Sequence, residues 1–206
     1  MQSAGISVPS LATLADYHPQ FALAVLAGVP VRPNLRPLSQ QLQNSQLGQP
    51  QPASFDQVIG QYSIFSSCQV SIDPTNNLDG NPLKYLSDAA QALVTGVTVT
   101  MMVDSRSGIN YTPIPDETPL QVLPAALSAS AGIWRMVNPE NLKVKFTVAA
   151  AAQSSPFTVW LNFTFLMLAA EGEQFLCVPT DEARRRLCSM GCGSMRGPVP
   201  VQQGAT

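Results

Sequence analysis

Few side chains in this sequence combine the residue type and the spacing that chemistry needs. Asp16, His18 and Gln20 stand close together near the N-terminus, and His18 is the one histidine of the chain. An acid, an imidazole and an amide suggest proton handling. General acid–base catalysis, however, needs a nucleophile or a second acid brought within hydrogen-bonding reach by the fold, and nearness in sequence does not supply that. A glycosidase-like pair of carboxylates would come from Asp73, Asp79, Asp104, Asp116 or Glu117. All five lie in or beside turn-forming sequence, where aspartate is common for local reasons. The sequence has no serine–histidine–aspartate context, no glycine-rich phosphate loop and no HExxH. We expect no catalytic residue and no cofactor, and enzymatic activity (a hydrolase at most) ranks last among the functions weighed.

The four cysteines are Cys68, Cys177, Cys188 and Cys192. Cys188 and Cys192 are spaced i, i+4, which would place them on one face of a helix. Structural zinc sites pair ligands two to four residues apart and need four in total, and neither His18 nor Cys177 makes a recognisable second half-site. The N-terminus lacks a basic start and an unbroken apolar run, so export is not expected and a disulfide framework is not the default. The expectation is structural thiols and no metal. Asn162-Phe163-Thr164 has the form of a glycosylation sequon, which matters only on an exposed loop of a secreted chain.

Composition bounds the kind of object this is. The chain has 206 residues and is 45% apolar, enough for one domain with a real core. Only 12% of its residues are charged, about half the usual share. Polarity comes instead from neutral side chains, with 18 prolines and 13 glycines. Such a surface costs less to desolvate than a charged one and suits a protein that spends its life against other protein. A net charge of −2 argues against electrostatic gripping of nucleic acid as the main task. The one basic run, Arg184-Arg185-Arg186, follows Asp181-Glu182 and reads as a solvated helix face.

The elements follow from the pattern of apolar residues. Leu11, Leu14, Tyr17, Phe21, Leu23, Val25 and Leu26 mark a helical segment, capped by Ser10 and broken or kinked at Pro19. Residues 30–57 are rich in proline and glutamine and read as a linker or extended arm kept out of central sheet positions. Tyr62–Ile72 alternates as a half-buried strand, with Phe65 out of phase. A helix is expected over 82–95, between Asn81 and Gly96. Val97–Asp104 is an alternating strand, INYTPIP a shorter one, and DETPLQVLPAALSAS a short helix or a covering loop. Ile133–Val137 is a short strand. Thr180 would cap a C-terminal helix, followed by a Gly/Pro-rich tail.

The most apolar stretch is NLKVKFTVAAAAQSSPFTVWLNFTFLML, Asn141–Leu168. A membrane helix needs roughly 20 apolar residues in sequence. Here the run is broken by Asn162 and Thr164 and has period two, so no transmembrane segment is expected. An antiparallel hairpin is the economical reading. Its first strand carries Leu142, Val144, Phe146 and Val148 opposite Lys143 and Lys145. Its second carries Val159, Leu161, Phe163, Phe165 and Met167 on one face, with Trp160 and Leu166 making the other face apolar as well. Both faces of that strand should be covered, by the chain's own ends or by a neighbouring subunit.

About seven or eight strands, one inserted helix and extended ends give a mainly β chain, an antiparallel two-sheet sandwich. Its parts are a helical segment and arm over 1–57, a β body over 58–179, and a short helix and tail over 180–206. In β body, Pro/Gln-rich arm, Gly/Pro-rich tail and charge-poor surface, the chain resembles the single jelly-roll capsid proteins of icosahedral viruses and phages. The resemblance lies in the overall pattern and carries no motif. It implies a structural subunit, major or minor, that assembles into a homo-oligomer or lattice with copies of itself and other virion proteins, in a virion built in the host cytoplasm. Trp160, Leu166, Pro33, Leu35, Pro37 and Leu42 are the inter-subunit contacts expected on this reading. The competing reading is a non-enzymatic binding or attachment module on the same kind of sandwich.

Overall fold

The alternating segments form strands in a computed structural model, which describes residues 9–42, 51–54, 62–73, 96–104, 110–137, 141–148 and 157–192. The strands are β1 Val31–Leu42, β2 Gln51–Ser54, β3 Ser63–Asp73, β4 Val97–Asp104, β5 Thr118–Pro119, β6 Arg135–Met136, β7 Asn141–Val148 and β8 Phe157–Leu168. They make two four-stranded antiparallel sheets, ordered β1-β8-β3-β6 and β2-β7-β4-β5. The chain is therefore mainly β. The helix expected over 82–95 and the tail after Cys192 lie outside the described residues.

Period-two patterning is what puts each strand in place. In β7, Leu142, Val144, Phe146 and Val148 are buried while Lys143 and Lys145 are exposed. In β4, Val97, Val99, Met101 and Val103 are buried. Phe157, Val159, Leu161, Phe163 and Phe165 of β8 meet these residues in one core, which also takes Leu38 and Leu42 of β1 and Met136 of β6. A strand buried on such a face contributes on the order of 10 kcal/mol before chain entropy is subtracted.

Several elements differ from the sequence reading. The hairpin of 141–168 does not form, because β7 and β8 lie in different sheets. Each turns its apolar face to the common core from the opposite side, which period two permits as readily as pairing. The short strand expected in INYTPIP reduces to a single bridge between Val103 and Tyr111. Pro113 and Pro115 follow at once, and a proline cannot donate to a ladder. The segment 30–57, expected as a linker or arm, instead supplies β1 and β2, one edge strand of each sheet. Leu38 and Leu42 enter the core, and the prolines of the segment fit the edge position.

Five helices are described: α1 Leu11–Tyr17, α2 Pro19–Leu26, α3 Leu123–Ala129, α4 Glu173–Leu176 and α5 Thr180–Ser189, with a 3-10 turn at Ala170–Gly172. The Ser10 hydroxyl accepts from the Thr13 amide, and Pro19 opens α2 where its missing N–H costs nothing. Helix α3 resolves the ambiguous segment, closing the core with Leu123 and Leu127. Thr180 does not cap α5. Pro179 holds that position, and the Thr180 hydroxyl instead accepts from the Gln20 side chain.

A second apolar cluster lies on the outer face of the first sheet. Leu14, Phe21 and Leu23 of α1 and α2 and Ala183 and Leu187 of α5 pack on Ile64, Leu166 and Leu168. Gly132 anchors this layer. Its φ is +75°, and an added Cβ would stand 2.6 Å from Pro9 Cβ. Gly132→Ala should therefore lower the unfolding free energy by more than about 1 kcal/mol, read from denaturant midpoints. A neutral result would mean that the Pro9 contact is not held in solution.

Candidate assembly surface

The residues first considered for chemistry are dispersed by the fold. His18 is buried at the join between α1 and α2, where Nδ1 lies 3.0 Å from the Tyr62 hydroxyl. Arg135 donates to that same hydroxyl at 2.8 Å, and its guanidinium sits 5.0 Å from the centre of the Tyr62 ring. Arg135 leaves the hydroxyl proton free to be donated to Nδ1 of a neutral imidazole. Burial, then the Arg135 charge, lower the His18 pKa to about 4, and the nearby backbone of Gly132 and Ile133 only partly opposes them. Burial raises the Tyr62 pKa, against the pull of Arg135. His18 Nε2 is enclosed without a hydrogen-bond partner. Gln20 turns away to the Val178 carbonyl and Thr180. His18, with Tyr62 and Arg135, thus forms a clasp between the helical layer and the sheet.

The remaining candidates separate in the same way. Asp104 pairs with Lys143 at 2.6 Å. Asp116 and Glu117 stand exposed on a loop beside β5, Asp79 lies outside the described residues, and β3 ends at Asp73. Glu182 binds the exposed Arg185 and Arg186, so that part of the basic run is a solvated helix face, whereas Arg184 is half-buried with its Nε enclosed. None of the four cysteines is in a disulfide, and burial raises the Cys68 pKa, which keeps it protonated. Cys192 lies beyond α5, so it does not continue a helical face from Cys188. Among the described residues no three His, Cys, Asp or Glu side chains gather as a metal site would need. No described helix is long and apolar enough to cross a membrane.

What the fold does assemble is a strip of uncharged surface across β1 and β8. Pro33, Leu35 and Pro37 face outward from β1, opposite Leu166, Thr164 and Asn162 of β8. Leu35 is 69% exposed, the most exposed large apolar side chain described. Asn162, the sequon residue, is exposed in mid-strand. Trp160 is half-buried, and its indole N–H is enclosed with no hydrogen-bond partner.

The expected contact residues therefore divide into two groups. Leu42 is fully buried in the chain's own core, since it shares the inward face of β1 with Leu38. Leu166 is 1% exposed beneath the chain's own helices. Neither is available to a neighbour. Pro33, Leu35 and Pro37 are available, and Trp160 partly so. The covering of β8 on both faces holds at its Leu166–Leu168 end and lapses at Asn162, because the helical layer reaches only part of the outer face.

β1 is also an edge strand. Prolines at 33 and 37 lack N–H groups and make that edge a poor template for an added strand. Contact with another molecule at β1 would therefore use its side chains more than its backbone edge. Comparison with protein-family models, with curated proteins and with solved structures gives no match.

Proposed function

We propose that this chain is a jelly-roll coat subunit, major or minor, of an icosahedral virus or phage. The observation that carries the reading is the strand pairing. β1 pairs with β8, β2 with β7, β3 with β6 and β4 with β5, as in one long antiparallel ribbon folded at its middle. Wrapping that ribbon brings β8 against β3 and β7 against β4, giving two sheets around a shared core. This pairing supports reading the two sheets as an eight-stranded jelly-roll sandwich, an architecture common among viral coats. Fold alone does not assign function, so the surface must agree with it. What supports the reading there is a chain only 12% charged and an outer face of β1 that carries Pro33, the protruding Leu35 and Pro37. The partners on this reading are copies of the chain and other virion proteins, and the location is the virion, assembled in the host cytoplasm.

Sedimentation velocity over a range of concentrations tests this. The expected result is concentration-dependent growth to large species, weakened in Leu35→Asp with an unchanged melting temperature. Leu35 touches solvent, so its replacement should cost the isolated fold less than about 0.5 kcal/mol. A wild-type chain that stays monomeric throughout would favour an attachment module on the same fold.

A further inference from the structure

We infer that copies of this chain meet head to tail, with the Asp116–Glu117 loop of one entering a two-arginine cavity at the β1 edge of the next. The inference rests on the assembly reading above and names the contact that drives it. Arg32, Asn34 and Arg36 lie on the same face of β1 as Leu38 and Leu42, but at the end of the strand where that face leaves the core. There, with Met167 and Ala170, they line a surface cavity of about 540 Å³. Neither guanidinium has a carboxylate partner among the described residues, and Arg36 Nε is enclosed with no hydrogen bond at all. Two unpaired cations lining one open cavity call for an anionic partner, and a carboxylate accepting from the guanidinium atoms that border the cavity is the group that suits them.

The complementary group lies on the same chain. Asp116 and Glu117 are adjacent, exposed and without an ion-pair partner among the described residues. Glu117 has φ +53°, the only non-glycine residue described with positive φ, and its amide donates to the Thr100 hydroxyl. A left-handed residue held in this way fixes the loop tip and presents two neighbouring acids. Position decides between a contact within one molecule and a contact between molecules. β1 packs near β2, so the β1 edge of one sheet lies over the β2 edge of the other. β6 and β5 then form the opposite edge, and the acidic loop leads into β5. Donor and acceptor thus stand on opposite edges of one molecule. They cannot pair within it, and repeating the contact builds a ring or an open array.

The test uses two full-length variants, R32E/R36E and D116R/E117R, each checked for folding by far-ultraviolet circular dichroism. Each alone sets like charge against like, and the concentration at which assembly begins should rise about tenfold or more. Mixed in equal amounts, each supplies what the other lacks, and assembly should return near the wild-type concentration. Rescue on mixing cannot arise from a variant that fails to fold. If the wild type assembles and both variants assemble as well as it does, the pairing is wrong while the coat reading stands. If only R32E/R36E is defective and mixing restores nothing, the arginines meet a different group and the pairing is again overturned. A wild-type chain that never assembles overturns both.

Discussion

Replacing Phe65 by alanine is expected to lower the unfolding free energy by about 3–5 kcal/mol, the range for deleting a large buried aromatic. Phe65 is fully buried and stacks on Trp134 with ring centres 4.6 Å apart. It also meets Phe163 and Phe165 edge-on at 6.2 and 6.1 Å. Its backbone is tied on both sides, with its amide donating to the Trp134 carbonyl and its carbonyl accepting from Gly132. The cavity therefore has little freedom to collapse, which favours the upper part of the range. Urea unfolding of Phe65→Ala beside the wild type measures it. A loss under about 1 kcal/mol would mean that the aromatic cluster is not the centre of the core.

The second large effect is a dependence on pH set by His18. The unfolded imidazole titrates near its ordinary value of 6.5 and the folded one near 4, so between these values the unfolded chain binds the extra proton. Stability from this group is complete above 6.5 and is lost as pH falls toward 4, a total on the order of 3 kcal/mol. Physically, a proton on the imidazole places a second cation beside Arg135 in a buried site and removes the acceptor that Tyr62 needs. His18→Gln keeps a polar side chain but cannot titrate. The difference in unfolding free energy between wild type and variant should therefore shrink steadily from pH 7 to pH 4, whatever the surface carboxylates contribute to both. A difference that does not change with pH would show that the clasp is open to solvent.

Phe65 also shows how far the sequence could be read. Along 62–72 it breaks the alternation, and the structure gives the reason. The register shifts between Phe65 and Ser67, leaving Ser66 as an extra residue in a bulge. Before the bulge Phe65 faces the core and Ile64 faces the helical layer; after it Cys68, Val70 and Ile72 face the core. The break in period was the visible trace of a bulge, and a bulge is how one strand serves two apolar clusters. The strands themselves were legible because burial on one face writes period two into the residues. Strand partners were not, since a strand facing the core looks the same from either sheet. That ambiguity produced the hairpin reading of 141–168, and it hid the coverage of Leu166 by helices distant in sequence. The site was legible in part: proline spacing and Leu35 marked the exposed face of β1. Leu42 was misplaced because no turn or partner in the sequence fixes which side of a proline-rich edge strand faces inward. The cavity of Arg32 and Arg36 left no motif, because two arginines four residues apart look the same on any strand.

The most direct measurement of the central claim is electron microscopy of the purified full-length chain, concentrated stepwise at neutral pH. Closed particles of uniform diameter are expected above a threshold concentration. Isolated single molecules at every concentration, with no rings, shells or arrays, would contradict that claim.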